Sequence, residues 1–117
     1  MKIKFLFGCI LFSAHLCGQQ LTYVPDDHFE QELIDTGFDD VLDDYVLTSN
    51  IDTIEILNLA FRGISDLTGI EDFEELTVLD CQSNYLTGID LSEMSHLLQF
   101  NRFGNQLLEL DISHNSH

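Results

Sequence analysis

Carboxylates are the side chains in this sequence that could most readily do chemistry, and many of them lie close together near the N-terminus. Seven aspartates fall between positions 26 and 44: Asp26, Asp27, Asp35, Asp39, Asp40, Asp43 and Asp44. Several carboxylate oxygens at short range suit Ca²⁺, but the spacing of an EF-hand loop is absent. Two interpretations follow, a weak calcium site or a solvated acidic face, and we favour the solvated face, with no metal.

The histidines and cysteines show no catalytic or metal-binding spacing. His28, His96, His114 and His117 form no HExxH motif, and the sequence has neither a GxSxG motif nor a glycine-rich phosphate loop. Cys81 takes an inward-facing position of a predicted strand, where a cysteine behaves as a small core residue. We therefore predict a protein that is not an enzyme and needs no cofactor.

The charge of the chain restricts its partners. Acidic residues outnumber basic ones by 21 to 4, and the formal net charge is −17. Binding to nucleic acid depends on Lys and Arg that displace counterions from phosphates, and anionic lipid surfaces also attract basic segments. The composition therefore argues against nucleic acid and against anionic membranes, and leaves partners that carry basic patches or divalent cations possible.

The first 18 residues form a separate segment. Two lysines precede an apolar run at positions 5–12, which is shorter than the roughly 20 residues needed to cross a bilayer. Such a segment is typical of a secretory signal peptide, which predicts a secreted or cell-surface protein that does not insert into the membrane after cleavage. Lipid attachment at Cys17 is the alternative, which we do not favour because Leu16 precedes it. Cleavage would leave Cys81 without a disulfide partner.

A repeat occupies the second half of the chain. The stretch LTVLDCQSNYLTGIDLSEMSH from Leu76 matches LLQFNRFGNQLLELDISHNSH from Leu97, and an earlier stretch from Ile54 matches the first of them. Apolar residues that recur with a period of about 20–29 residues indicate a leucine-rich repeat. We predict an α/β solenoid over residues 54–117, with about two and a half coils and an open C-terminus. Strands at 55–59, 77–81 and 98–102 should form a short parallel sheet on its concave face.

Two positions within the repeat call for polar contacts. Asn84 and Asn105 recur in register, and we predict that they are structural and bond the backbone of adjacent coils, because buried backbone groups need partners. Arg62 takes this position in the first coil. Arg102 takes the inward position of Cys81, so either the last coil is distorted or Arg102 pairs with a carboxylate at the open end, and we favour the pairing.

Residues 19–53 do not fit the repeat and are predicted to form a helical N-terminal cap, which covers the hydrophobic end of the first coil. We expect Asp27 to be the N-cap of a helix with Glu30 completing a capping box, and Gly37 to end that helix. A second short helix or an irregular turn is expected over residues 40–45. The polar side chains of the first helix should face water: Glu30, Gln31, Glu32 and Asp35.

The candidate binding residues follow from the strand pattern. Side chains alternate along a strand, so residues between the inward leucines should line the concave face in columns. These columns are Ile56–Val78–Gln99, Asn58–Asp80–Asn101 and Ala60–Gln82–Phe103. We predict that the ligand contacts Ile56, Asn58, Val78, Asp80, Gln82, Gln99, Asn101 and Phe103.

The repeat also carries a family resemblance. The pattern LxxLxCxxNxLxxLxL at positions 76–91 resembles the leucine-rich repeats of secreted proteins from Bacteroidetes-type bacteria, and the coil at 54–73 is similar to the internalin-type repeat. The lead-in YVPDDHFE at 23–30 resembles the cap that precedes such repeats. The resemblance implies a non-catalytic, exported or cell-surface protein that binds other proteins or glycans.

Two functional hypotheses from different classes result. The first is an exported binding module whose concave face contacts a protein or a glycan. The second is a truncated structural stub or assembly unit that pairs with another chain through its open C-terminal edge, because an unpaired strand is a template for pairing.

Overall fold

The computed structural model describes residues 19–107 and 109–111, and the side chains of residues 109–111 are not described. The predicted signal peptide, Cys17, His114 and His117 lie outside these residues. The elements follow in the order β1 (Leu21–Tyr23), α1 (Asp27–Asp35), β2 (Tyr45–Leu47), α2 (Thr48–Ile51), β3 (Ile56–Asn58), a 3₁₀ turn (Ile70–Asp72), β4 (Val78–Asp80), β5 (Gly88–Asp90), β6 (Gln99–Asn101) and β7 (Glu109–Asp111). Neither of the two described helices is long and apolar enough to cross a bilayer.

The predicted parallel sheet is present. Strands β3, β4 and β6 pair in parallel in the order of the chain, with Leu57 opposite Leu79 and Leu79 opposite Phe100. Each strand is one residue shorter at both ends than the sequence predicts. Leu57 and Leu79 point into the core and are almost completely buried, so the repeat of apolar residues sets the register of this sheet.

A second parallel sheet was not predicted. Strand β5 pairs with β7, with Ile89 opposite Leu110, so the repeat that begins at Leu76 forms two strands, β4 and β5. Asp90 ends β5, because its carboxylate accepts a hydrogen bond from the backbone N–H of Ser92 at 2.9 Å. The repeat that begins at Ile54 takes the 3₁₀ turn in its second half instead.

The core is continuous from the N-terminal segment through the repeats. Aromatic rings of Phe29 in α1 and Phe73 in the first repeat stack with centroids 6.0 Å apart. The apolar residues that recur in the sequence form the rest of this core: Ile54, Leu57, Leu59, Ile64, Leu67, Leu76, Leu79, Cys81, Leu86, Ile89, Leu91 and Leu97. Burial of this apolar surface supplies the main driving force for folding.

Helix α1 begins one residue earlier than predicted. The N-cap is Asp26, whose Oδ1 accepts hydrogen bonds from the N–H groups of His28 and Phe29, and Asp27 is the first helical residue. The helix ends as predicted at Gly37, which has a φ of +90°. The N–H of Gly37 donates to the carbonyl of Ile34, a bond of the Schellman motif.

Two of the four polar side chains of α1 that were predicted to face water are buried, while Gln31 and Asp35 are exposed as predicted. Glu30 and Glu32 are 0% and 5% exposed, because α1 packs between the loop at 39–44 and the first repeat. The carboxylate of Glu30 accepts backbone N–H bonds from that loop, and Glu32 lies against Arg62. The predicted capping box at Glu30 is therefore wrong.

The helical alternative for residues 40–45 is also wrong, because the chain there is irregular and leads into β2. Asp44 has a φ of +71°, which a right-handed helix cannot accommodate. The carboxylate of Asp43 turns inward and accepts the N–H of Tyr45 at 3.0 Å. Strand β2 then pairs with β1 in an antiparallel arrangement that the sequence analysis missed, with Thr22 opposite Val46.

Candidate functional site

The residues predicted to contact a ligand lie together on one side of the three-stranded sheet. We call this side the outer sheet face and define it by two columns that the strand register aligns: Ile56–Val78–Gln99 and Asn58–Asp80–Asn101. All six side chains are exposed or half-buried, and Ile56 is 69% exposed. The opposite side of the same strands is filled by the core.

The predicted third column follows directly after the strands. The N–H of Phe61 donates to the carbonyl of Gln82, and the N–H of Ser83 donates to the carbonyl of Phe103. Gln82 and Phe103 therefore stack beyond the ends of β4 and β6, next to the outer sheet face. Phe103 is 76% exposed, so the structure brings all eight predicted ligand contacts to one surface.

The column Asn58–Asp80–Asn101 also shapes the chain. In each case a side-chain oxygen accepts the backbone N–H two residues later, from Ala60, Gln82 and Phe103 respectively, at 2.9–3.1 Å. This is the Asx turn, which reverses the chain at a strand end. A substitution in this column must keep the oxygen if the turn is to survive, and asparagine does so in two of the three repeats.

Sequence reasoning missed Phe61. Its side chain is 72% exposed, and its φ is +60°, in the left-handed region that non-glycine residues rarely adopt. The equivalent positions in the next repeats are Ser83 and Gly104, with φ values of +58° and +80°. Gly104 was the available signal, because glycine in one repeat marks a position where the backbone needs a positive φ.

Asn84 connects two repeats through their backbones. Its Oδ1 accepts the N–H groups of Arg62 and Ile64 at 3.0 Å, and its Nδ2 donates to the carbonyls of Leu59 and Cys81. The residue is 3% exposed. Buried backbone groups without partners are costly, so this amide satisfies four groups that the turn leaves unpaired.

Asn105 makes the corresponding contacts one repeat later. Its Oδ1 accepts the N–H of Leu86 at 3.0 Å, and its Nδ2 donates to the carbonyls of Cys81 and Arg102 at 2.8 and 3.1 Å. Asn105 is half-buried, and it bonds one backbone N–H where Asn84 bonds two.

The position of Cys81 differs in burial from one repeat to the next. Cys81 is fully buried, and burial, followed by the nearby negative charge of Asp80, raises the pKa of its thiol to about 12. The thiol therefore stays protonated and unreactive at neutral pH. Arg102, in contrast, is exposed, and among residues 19–107 no carboxylate forms the predicted ion pair with it.

The acidic residues of the N-terminal segment gather around Glu30. Two overlapping groups bring carboxylate oxygens within 4.8 Å of one another: Asp27, Glu30 and Asp44, and Glu30, Asp39 and Asp43. Burial, and to a smaller extent the carboxyl groups of Asp39 and Asp43, raise the pKa of Glu30 to about 8. Asp43 is 2% exposed, so the interpretation as a solvated face is wrong for it. These carboxylates are where the fold could place a cation.

Asp26 joins the N-terminal segment to the first repeat. While its Oδ1 caps α1, its Oδ2 accepts the N–H groups of Ser65 and Asp66 at 2.9 and 3.0 Å. Thr22 in β1 donates to the carboxylate of Asp72 at 2.8 Å in the same way. The sequence analysis counted Asp26 among the solvated acids, but its side chain is only 6% exposed.

Comparison with known proteins places these features among leucine-rich repeat proteins. No family model matches the chain. It is 34% identical over 71 residues to Internalin J of Listeria monocytogenes, a match that covers 61% of this chain and 8% of that protein. The chain thus spans less than a tenth of the length of this curated relative.

Solved structures support the same fold. The functional domain of InlJ from Listeria monocytogenes, which includes a cysteine ladder, matches with a TM-score of 0.65 at 27% identity, over 83% of this chain and 27% of that one. A Listeria monocytogenes internalin (inlF) matches with a TM-score of 0.65 at 22% identity, over 75% of this chain and 30% of that one. The CBM51-2 and INT domains of Clostridium perfringens ZmpB match with a TM-score of 0.61 at 19% identity, over 70% of this chain and 17% of that one.

These likenesses to Listeria internalins support a bacterial leucine-rich repeat protein. In this chain the inward column reads Leu59, Cys81 and Arg102, so Cys81 has no cysteine beside it in the neighbouring repeats. The Bacteroidetes-type origin of the repeats and the signal peptide stay predictions.

Proposed function

We propose that this chain is a non-catalytic binding module, exported to the cell surface or beyond, and that its outer sheet face is the concave surface that contacts another protein. The observation that carries the proposal is the apolar character of this face. Ile56 is 69% exposed and pairs with the half-buried Val78 on this face, and Phe103 beyond the end of β6 is 76% exposed, while the other side of the sheet is already filled. Grouped exposed apolar side chains are typical of interaction sites.

The polar residues of the same face support a protein ligand. Gln99 and Asn101 are exposed amides, which can both donate and accept hydrogen bonds. Asp80 is the only carboxylate in the three columns. The other eight residues of the three columns are uncharged and combine apolar with polar side chains, and protein interfaces are likewise depleted in charged residues.

A peptide selection tests this proposal. Binders are selected from a random peptide library against the immobilised full chain, and their affinities are measured for two variants that add the same charge. Ile56→Glu lies on the outer sheet face, whereas Thr87→Glu is an exposed position before β5. We expect Ile56→Glu to weaken binding by about tenfold or more, which corresponds to about 1.4 kcal/mol, and Thr87→Glu to leave it unchanged.

The circular dichroism spectra and melting temperatures of both variants should equal those of the wild type, because both positions are exposed. Equal losses in the two variants, or none in Ile56→Glu, would place the preferred binding surface elsewhere and contradict the proposal.

The second hypothesis, pairing between copies along a sheet edge, stays a prediction. It requires a dimer or larger assembly that grows with concentration. Sedimentation of the full chain as a monomer at high concentration would contradict it.

A further inference from the structure

Phe61 has an unfavourable backbone conformation and gains little from packing. A left-handed conformation is unfavourable for a residue with a side chain, because Cβ approaches the following carbonyl oxygen. The ring is 72% exposed, so burial of this side chain offsets little of this unfavourable free energy. Strained residues of this kind concentrate at functional sites, and the inference runs from the observed conformation to a function.

The turn itself does not require phenylalanine at this position. The same turn is formed by Ser83 in the second repeat and by Gly104 in the third, both with positive φ. At Gly104 an added Cβ would lie 2.9 Å from Oγ and 3.1 Å from Cα of Ser83, so the third repeat needs glycine. Phe61 is therefore the residue of this column whose identity the fold leaves unexplained.

Phe61 and Phe103 lie on either side of the second repeat. The N–H of Phe61 bonds the carbonyl of Gln82, and the N–H of Ser83 bonds the carbonyl of Phe103. Because neighbouring strands are about 4.8 Å apart, the backbones of the two phenylalanines are separated by about 10 Å. Between them lies Gln82, whose side-chain amide donates to the carboxylate of Asp80 at 3.1 Å.

The net charge of the chain favours a cationic partner. The net charge is −17, which attracts cationic partners over long range and more strongly at low salt. The guanidinium group of Arg62 lies against the carboxylates of Glu32 and Asp35. It is therefore already paired away from Asp80, whose carboxylate accepts hydrogen bonds from the backbone and side chain of Gln82 and has no cationic partner among residues 19–107.

Arginine is the side chain that can interact with the rings of Phe61 and Phe103 and with the carboxylate of Asp80. Its planar guanidinium stacks on aromatic rings and pairs with carboxylates through two parallel hydrogen bonds, whereas lysine presents a point charge. Building on the proposed function, we propose that the outer sheet face recognises a cationic segment of a partner protein, and that Phe61, Phe103 and Asp80 receive an arginine side chain of that segment.

Isothermal titration of the full chain with two synthetic peptides tests this inference. One peptide alternates arginine with glycine, and the other has lysine in place of each arginine, so the two carry equal charge. We expect the arginine peptide to bind at least about fivefold more tightly, a difference of about 1 kcal/mol. Phe61→Gly should reduce its affinity to that of the lysine peptide.

Two further variants separate this effect from folding and from general attraction. Ser83→Gly introduces glycine at the equivalent position of the next repeat and should retain the preference for arginine. Asp80→Asn removes the charge but keeps the turn, as Asn58 and Asn101 do, and should lose the preference. Phe61→Gly should melt at the wild-type temperature or above, because glycine relieves the strained φ. If it melts lower, Phe61→Asn, which also tolerates this φ, replaces it in the comparison.

Equal affinity of the wild type for the two peptides would overturn the inference, as would an unchanged preference in Phe61→Gly or its replacement. The first result would mean that the acidic chain attracts any cation, and the second would mean that the preference for arginine does not depend on Phe61. The library selection distinguishes this failure from that of the proposed function. Selected peptides that lack arginine but still lose affinity for Ile56→Glu would contradict the arginine inference and leave the proposed function intact.

Discussion

Several side chains in this protein have a second role that cannot be predicted from their residue type. Asn58, Asp80 and Asn101 were predicted to contact a ligand from strand alternation alone, yet each also accepts the backbone N–H two residues later. Alternation predicts which face a side chain occupies, because it follows from backbone geometry. It cannot predict the turn bond, which depends on how the next residues leave the strand.

Glu30 and Phe61 show the same limit more strongly. A glutamate in the first turn of a helix is ordinarily solvated or part of a capping box, and only the packing of the 39–44 loop buries Glu30. Phe61 precedes Arg62 rather than the recurring asparagine, so the repeat pattern gives it no special position. Its unusual conformation is evident only from the structure, which gives it a φ of +60° and an exposed ring.

Glu30→Gln should change how stability depends on pH. The folded chain holds a proton on this carboxyl up to about pH 8, while the unfolded chain releases it near pH 4.5. The contribution of Glu30 to the free energy of unfolding is therefore complete below pH 4.5 and is lost as the pH rises toward 8. One proton corresponds to a slope of up to about 1.4 kcal/mol per pH unit, and Glu30→Gln should lack this slope.

Urea unfolding followed by circular dichroism at several pH values between 4.5 and 8 measures the slope. Glu74→Gln, which alters an exposed carboxylate, is the matched control and should retain the wild-type slope. If Glu30→Gln and the wild type lose stability in parallel over this range, Glu30 does not hold the proton and the account of this cluster is wrong.

Elements were predictable where a period or a capping residue marks them. The repeat of apolar residues predicted β3, β4 and β6, and Gly37 predicted the end of α1. Strands β1 and β2 were missed because each has three residues, too few to show a period, and because they pair across more than twenty positions. Their pairing depends on contacts with the first repeat rather than on local sequence.

Gly69 shows how closely β1 packs against the first repeat. A Cβ at this position would lie 2.6 Å from the carbonyl oxygen of Tyr23 and 2.9 Å from Cγ2 of Val24, and the φ of Gly69 is +106°. Gly69→Ala should therefore lower the free energy of unfolding by about 2–4 kcal/mol, because it combines a steric clash with a strained backbone.

Gly88→Ala is the matched control for this prediction. Nothing lies within 4 Å of a Cβ built at Gly88, so the substitution should change stability by about 0.5 kcal/mol or less. Chemical denaturation of both variants measures the difference. Equal stability of Gly69→Ala and Gly88→Ala would show that β1 does not pack on the first repeat as described.

At the scale of the whole molecule, the repeat was the strongest predictor. The period of the sequence predicted a leucine-rich repeat, and the likeness to internalin structures supports that fold. The eight predicted contact residues lie on one surface because a parallel sheet in register aligns equivalent positions of each repeat. What the period could not predict is the connection through Asp26, Thr22 and Arg62, since these residues lie outside the apolar pattern.

The central claim is that the outer sheet face is the surface that binds a protein ligand. The most direct measurement is the ¹H–¹⁵N NMR spectrum of the full chain, titrated with a peptide selected from the random library. The account predicts that the amide signals of Val78, Gln82 and Gln99 shift most, while those of Gly88 and Asp90 in β5 stay unchanged. Shifts concentrated in β5, or in β1 and β2, with the outer sheet face unaffected, would contradict it.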